Sequence, residues 1–299
     1  MTDRTFLRSV PQKVNEKKQK ISGSSPRIIS IASGKGGVGK TLTAINFALN
    51  ASIMGFPVTI FDGDMGLSNV DIVMGLQAKY NIYNVLSDEC TIEDVILEGP
   101  FGIKIIPSGS GLSELTQMTY LQKLKIMDSI EHYQPPCDYM IIDTGAGISS
   151  NVTHLNSIAD DIIVVTTPEP HAMTDAYAFI KVMVEEFGRT RLNLLVNMVA
   201  SDAEGLKIWR RIAEVSRRFL NIELRYLGSI PSDKEMQKFV LSRGSVNNNT
   251  TKTLSGQAWG RVAREIFVNH SHKTPIRERN DFWRKFLVSG AGRDVSLNA

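Results

Sequence analysis

Cysteine is scarce in this chain: of 299 residues only Cys90 and Cys137 are cysteines, far apart and in no C-x-x-C spacing. That argues against a disulfide framework and against zinc or iron-sulfur ligation, and it suits a reducing cytoplasm. Long apolar runs are missing as well. No stretch approaches the roughly 18 to 20 apolar residues that a membrane-spanning helix needs, and the N-terminal segment has no apolar core of a secretory signal. The expectation is a protein that neither spans a membrane nor is exported. Net charge is small too, +3 in total, but it is unevenly placed. Residues 1–27 hold seven Lys/Arg against two Asp/Glu, residues 268–299 hold six against three, and the remainder has 21 basic against 26 acidic residues. Basic extensions around an acidic centre suit an acidic partner or an anionic membrane surface, or are solvated tails.

What is present is a regular alternation. After an arm, residues 1–26, rich in Lys, Gln and Ser and broken by Pro11, short β-branched runs fall at 27–32, 58–61, 103–106, 139–142, 162–166, 192–196 and 224–230. Helical periodicity fills the gaps, most clearly at 41–54, 149–158, 172–186 and 204–219. Strands alternating with helices predict crossover units: an α/β three-layer fold, with a mainly parallel twisted sheet of about seven or eight strands and helices on both faces. Residues 27–268 are expected to form one domain, followed by a tail at 269–299.

The first strand runs into Ser33-Gly34-Lys35-Gly36-Gly37-Val38-Gly39-Lys40-Thr41. This fits G-x-x-x-x-G-K-[ST] between a strand and a helix, the context in which the motif binds phosphate. Glycines at 34, 36, 37 and 39 let backbone N–H groups converge on phosphate oxygens, and the following helix adds its positive end. Lys40 is placed to contact the β and γ phosphates and Thr41 to offer its hydroxyl to Mg²⁺. Two further strands end in acids: Phe61-Asp62-Gly63-Asp64 and Ile142-Asp143-Thr144-Gly145. In an open parallel sheet ligands sit beyond the carboxyl ends of strands, so these carboxylates are expected beside the phosphate loop.

Lys35 narrows the field. The string Lys-Gly-Gly-Val-Gly-Lys-Thr resembles the deviant phosphate loop of the MinD/ParA-type ATPases, which have the P-loop NTPase fold. Within them, residues 62–76 and 143–148 are most similar to the flagellar-number regulators (the FlhG, FleN and YlxH group), with the cell-division regulator MinD next. The resemblance implies that ATP and Mg²⁺ are the cofactors and that residues from Gly34 through Val38 to Leu42 hold the nucleotide. It implies a homodimer in the ATP-bound state, in which Lys35 reaches the phosphates of the other subunit. It further implies that Asp64 orients the attacking water, that Asp62 lies near the metal, and that Asp143 holds a Mg²⁺-bound water. Asn197 and the segment Pro231, Ser232 and Asp233 would frame the adenine. Gly145 departs from the family pattern, which more often has proline there. A signal-recognition-type GTPase is the implied partner, although Asp3-Arg4-Thr5-Phe6-Leu7-Arg8 matches the family's GTPase-stimulating element only in its Leu-Arg pair.

In the tail, Phe282, Trp283, Phe286 and Leu287 fall on one helical stripe, with Arg279, Arg284 and Lys285 beside it. Such a helix suits the headgroup region of an anionic bilayer, or a place on the core. The expectation is a cytoplasmic ATPase, peripherally and reversibly attached to the inner face of the cell membrane. A MinD-like division-site regulator or a ParA-like DNA or cargo partitioning ATPase is the rival reading. The acidic centre speaks against nucleic acid as a partner.

Overall fold

The computed structural model describes residues 26–64, 70–81, 84–85, 87–107, 137–241 and 250–268. Eight strands form one sheet: β1 (Arg27–Ser33), β2 (Val58–Gly63), β3 (Leu97–Glu98), β4 (Lys104–Ile106), β5 (Tyr139–Ala146), β6 (Asp161–Thr166), β7 (Leu192–Val199) and β8 (Arg225–Pro231). Their spatial order is β3-β4-β2-β5-β1-β6-β7-β8, parallel throughout except for the short edge strand β3, which runs antiparallel to β4. The seven β-branched runs are thus all strands. The eighth strand, β3, is two residues long and leaves no periodic signal.

The central strands are apolar at successive positions because both faces of the sheet are covered. In β1, Ile28 and Ala32 belong to one hydrophobic cluster and Ile29 and Ile31 to another. Helices α4 (Ser150–Ser157), α5 (Pro170–Glu185) and α6 (Asp202–Leu220) contribute Leu155, Phe179 and Ile208 to the first cluster. Helices α1 (Lys40–Ile53) and α8 (Leu254–Phe267) contribute Phe47 and Trp259 to the second. The short helices α2 (Val70–Val73), α3 (Ile92–Val95) and α7 (Lys234–Leu241) and two 3-10 turns, Pro100–Gly102 and Thr250–Lys252, complete the described elements. The result is the expected three-layer α/β architecture.

Helix ends follow local chemistry. Ser201 caps α6 by accepting the Glu204 N–H, Asp202 and Glu204 lie in its first turn, and Arg217 and Arg218 lie in its last. α6 stops at Asn221, whose φ of 54° is the left-handed conformation that asparagine tolerates. Helix α1 differs from α6 at its start. Its cap is Gly39, with no side-chain hydrogen bond and no acidic residue in the first turn. Phe282, Trp283, Phe286 and Leu287 lie outside the described residues; among those described, no helix is long and apolar enough to cross a membrane.

Candidate functional site

β1 ends at Ser33 and passes through Gly34 to Gly39 into α1. Gly37 and Gly39 have φ of 80° and 91°, where a side chain is strained. Gly34 and Gly39 are constrained by approach as well. A Cβ on Gly34 would overlap the backbone carbonyl of Asp175 on α5, and one on Gly39 would overlap the carboxamide nitrogen of Asn197 on β7. With no side-chain cap and no acidic residue of its own, the first turn of α1 keeps its amide hydrogens and positive end for an anion.

Sheet register brings the acids to this loop. Asp62 on β2 and Asp143 on β5 are paired neighbours, and Asp143 is paired on its other side with Ile31 of β1. Asp62, Asp143 and Lys40 are all buried. Asp62 accepts backbone hydrogen bonds from Asp64 at 3.1 Å and Val70 at 3.4 Å, so it shapes the turn after β2 while bordering the site. Burial pushes the Asp143 carboxyl up to about 7; the Thr41 hydroxyl bonded to it and the Lys40 ammonium pull it down, while Asp62 and Asp64 push it up. The Lys40 ammonium is lowered by burial, an effect that Asp143 and Asp64 offset in part. Gly145 sits where a Cβ would come within 3.3 Å of Asp64 Oδ1 and 3.1 Å of the Val152 side chain, so the missing side chain leaves Asp64 room.

Would Mg²⁺ fit? Asp143 Oδ1 is buried with no hydrogen-bond partner among the described residues, next to the Thr41 hydroxyl. A carboxylate oxygen and a hydroxyl are the hard donors this ion takes. Among the described residues no group of three His, Cys, Asp or Glu side chains is arranged to hold a metal by itself. That suits an ion bound by one or two protein oxygens and completed by phosphate and water.

Lys35 is placed differently. Its Nζ lies 2.6 Å from Glu169 Oε2 at the start of α5, with the side chains 40% and 65% exposed. The hydrogen bond from Lys35 holds the Glu169 carboxyl below its ordinary range.

Beside the loop is a cavity of about 310 Å³, lined by Leu42, Asn197, Pro231 and Asp233 together with Met198, Met236, Gln237, Ser255 and Trp259. Its volume suits a small ligand. Ser232 is exposed and does not line it; its N–H is bonded to the Val199 carbonyl at 2.9 Å. The Asp233 carboxylate accepts the N–H groups of Glu235 and Met236 through Oδ1, and the Ser255 N–H and hydroxyl through Oδ2. Burial would raise it, but these bonds prevail and its pKa is lowered. Asp233 therefore ties α7 to α8 at the cavity wall. The five extra lining residues come from segments without a motif. Trp259 is buried, and its Nε1 has no partner among the described residues.

Comparison with known proteins agrees with this geometry. Residues 26–195 match the AAA domain family. The chain is 33% identical over 240 residues to the antiactivator FleN of Pseudomonas aeruginosa, a match covering 80% of this chain and 86% of FleN. It is 33% identical over 238 residues to the flagellum site-determining protein YlxH of Helicobacter pylori, covering 79% and 80%. The MinD cell division protein of Aquifex aeolicus superposes with a TM-score of 0.61 at 25% identity, over 84% of this chain and all of that one. MinD of Pyrococcus horikoshii, solved with Mg-ADP, gives 0.61 at 23% identity, over 83% and 100%, a likeness of fold. Such likeness extends far beyond one glycine-rich loop, and the chain belongs to the MinD/ParA-type P-loop ATPases, regulators with a deviant phosphate loop, in the subgroup that contains FleN and YlxH.

Proposed function

We propose that the protein is an ATP-dependent dimerising switch: it binds Mg-ATP, closes on a second copy, hydrolyses the nucleotide, and so controls flagellar number or placement at the membrane together with a signal-recognition-type GTPase. One observation carries the nucleotide reading. Lys40, Thr41, Asp62, Asp64 and Asp143 come together at one end of the sheet beside the glycine loop, and Asp143 keeps a buried oxygen without a partner among the described residues. The names of the two relatives, an antiactivator and a flagellum site-determining protein, support the flagellar side.

Each residue then has a task. The loop amides and the N-terminus of α1 bind the phosphates, and Lys40 places a buried cation at the β and γ positions. When bound, Mg²⁺ supplies neutralisation of phosphate charge. Thr41 and Asp143 would hold it, with Asp62 beside them. Asp64, half-buried at the mouth, is placed to accept a hydrogen bond from the attacking water and fix its direction. Closure of the dimer excludes solvent from this constellation, and electrostatic interactions strengthen where water is removed.

Lys35 supplies the step between subunits. An exposed ion pair such as Lys35–Glu169 is weak, so the lysine is readily exchanged to a more concentrated negative charge, the triphosphate on the partner copy. Light scattering tests this. Wild type is expected to double in mass on addition of Mg-ATP, Lys35→Ala to remain monomeric, and Glu169→Ala to dimerise at lower ATP concentration. A Lys35→Ala dimer of undiminished stability would reject the crossing lysine.

The basic tail, residues 269–299, is read as the membrane-targeting part. Each basic residue near an anionic surface contributes on the order of 1 kcal/mol, so one tail binds marginally and the two tails of a dimer bind well. In liposome sedimentation with anionic vesicles, Mg-ATP is expected to raise the pelleted fraction of the full chain, while a chain ending at residue 275 stays in the supernatant. Equal pelleting of the two would remove the tail from the mechanism.

A further inference from the structure

We infer that Thr144 is a positioning residue of the reaction: its hydroxyl, oriented by Asn156, pins a bulge in β5 that sets Gly145 against Asp64. The inference rests on the nucleotide reading of this site and adds to it. β5 and β1 pair regularly up to Asp143 and Ile31, and pairing resumes with Ala146 opposite Ser33. Thr144 and Gly145 therefore stand against the single residue Ala32. Two residues against one is a bulge, a feature that sheets place beside active sites and that re-aims the chain there. On its other edge β5 stays in register with β2 as far as Thr144 opposite Gly63. Beyond the bulge the chain is caught again, where the Gly147 N–H donates to the Ser33 carbonyl at 2.9 Å.

The Thr144 side chain ties the two strands together where their register shifts. It is fully buried, and its hydroxyl donates to the Ile31 carbonyl of β1 at 2.9 Å, with the Gly145 carbonyl 3.2 Å away as a second acceptor. The hydroxyl in turn accepts from Nδ2 of Asn156 on α4 at 3.3 Å, so its one proton is left for a carbonyl. The same Nδ2 donates to the Val152 carbonyl at 2.7 Å, which fixes the amide on its own helix. Asn156 is destabilising where it stands, since it is fully buried and its Oδ1 has no hydrogen-bond partner among the described residues. What the amide contributes is the bond to Thr144. The bulge matters because of what Gly145 meets. A Cβ there would lie 3.3 Å from Asp64 Oδ1, so the Gly145 backbone bounds the space in which Asp64 sits, and with it the direction that this carboxylate gives to a water. The loop amides and Lys40, which hold the phosphates, lie on the chain after β1, so phosphate binding and water orientation are separable.

The test separates turnover from binding on the full chain. For Thr144→Val, which keeps the shape and removes the hydroxyl, kcat for ATP hydrolysis is expected to fall about tenfold in a phosphate-release assay, while KM and the calorimetric Kd for Mg-ADP stay within about twofold of wild type. Thr144→Ser, which restores the hydroxyl without the methyl, is expected to recover most of the loss. A side chain kept for packing would give the reverse order, with valine near wild type and serine impaired. If Thr144→Val does not fold, Asn156→Ala carries the same comparison, with a smaller loss of kcat at unchanged Mg-ADP affinity. Unchanged kcat in the folded variant overturns the inference. A serine variant as slow as the valine one overturns it too, and so does an equal weakening of Mg-ADP binding, which would mean that the site as a whole had been lost. Wild type that binds neither Mg-ADP nor Mg-ATP refutes the nucleotide reading itself, and this control tells the two failures apart.

Discussion

Lys40→Ala is expected to lower ATP turnover by about 1,000-fold or more and to remove the calorimetric signal of Mg-ATP binding. Lys40 is 8% exposed and faces Asp143 and Asp64, so its ammonium is already desolvated before any phosphate arrives. A charge freed of most of its water interacts strongly with a second charge and needs no further reorganisation when that charge comes. Removing it acts twice. The phosphates lose their buried counter-charge, and the carboxylates at 62, 64 and 143 lose the cation that holds Asp143 down, so Asp143 becomes still harder to ionise. Lys40→Arg is not expected to rescue, because a planar guanidinium is larger and the loop closes around the position. Turnover within tenfold of wild type in a phosphate-release assay, with binding heat retained, would show that the loop is not the phosphate site.

Lys40 and its loop were legible in the sequence because a phosphate cradle is a local object. Eight consecutive residues set the glycine positions, the lysine and the hydroxyl, and a β-branched run before them with a helical pattern after them sets the context. Asp62 and Asp143 were legible for a different reason. Each ends an apolar strand, and parallel strands carry their C-terminal residues to the same side; the register that pairs them was beyond the sequence, but its outcome was not. The cavity wall resisted reading. Met198, Met236 and Trp259 are ordinary hydrophobic residues of a strand end and two helices, and only the packing of α8 on α1 and β8, with α7 tied to it through Asp233, gives them a shared surface. Asn197 shows the same limit in one residue. Its place at the end of a strand was legible, but its partners, Val38 and Met198, depend on a loop 159 positions away and on a left-handed residue with no sequence signal. The pairing of Glu169 with Lys35 is likewise a contact that spacing could not supply.

Asp143→Asn is expected to make the nucleotide-free protein more stable and the enzyme nearly inactive. In the free protein the carboxyl is buried, and its pKa is raised from 3.8 to about 7, chiefly by desolvation. An acid raised by folding favours the folded state while it is protonated, so its contribution is fully present below about pH 4 and is lost as pH rises through about 7. With EDTA and no nucleotide, wild type should therefore melt at a lower temperature at pH 8 than at pH 5.5, as far as this group is concerned. An asparagine carries no charge to desolvate. Asp143→Asn should gain on the order of 2 kcal/mol over wild type at pH 8, a rise in Tm of roughly 4 to 8 °C for a domain of this size, and the gain should shrink toward pH 5. Turnover should move the other way, falling about 100-fold or more, because the amide cannot supply a charged oxygen beside Thr41. The opposite signs are what separate a site group from a structural one: a side chain kept for the fold loses stability when replaced, and one kept for its charge costs the resting protein stability. A variant that melts below wild type at pH 8 and still hydrolyses ATP would place Asp143 in the first class.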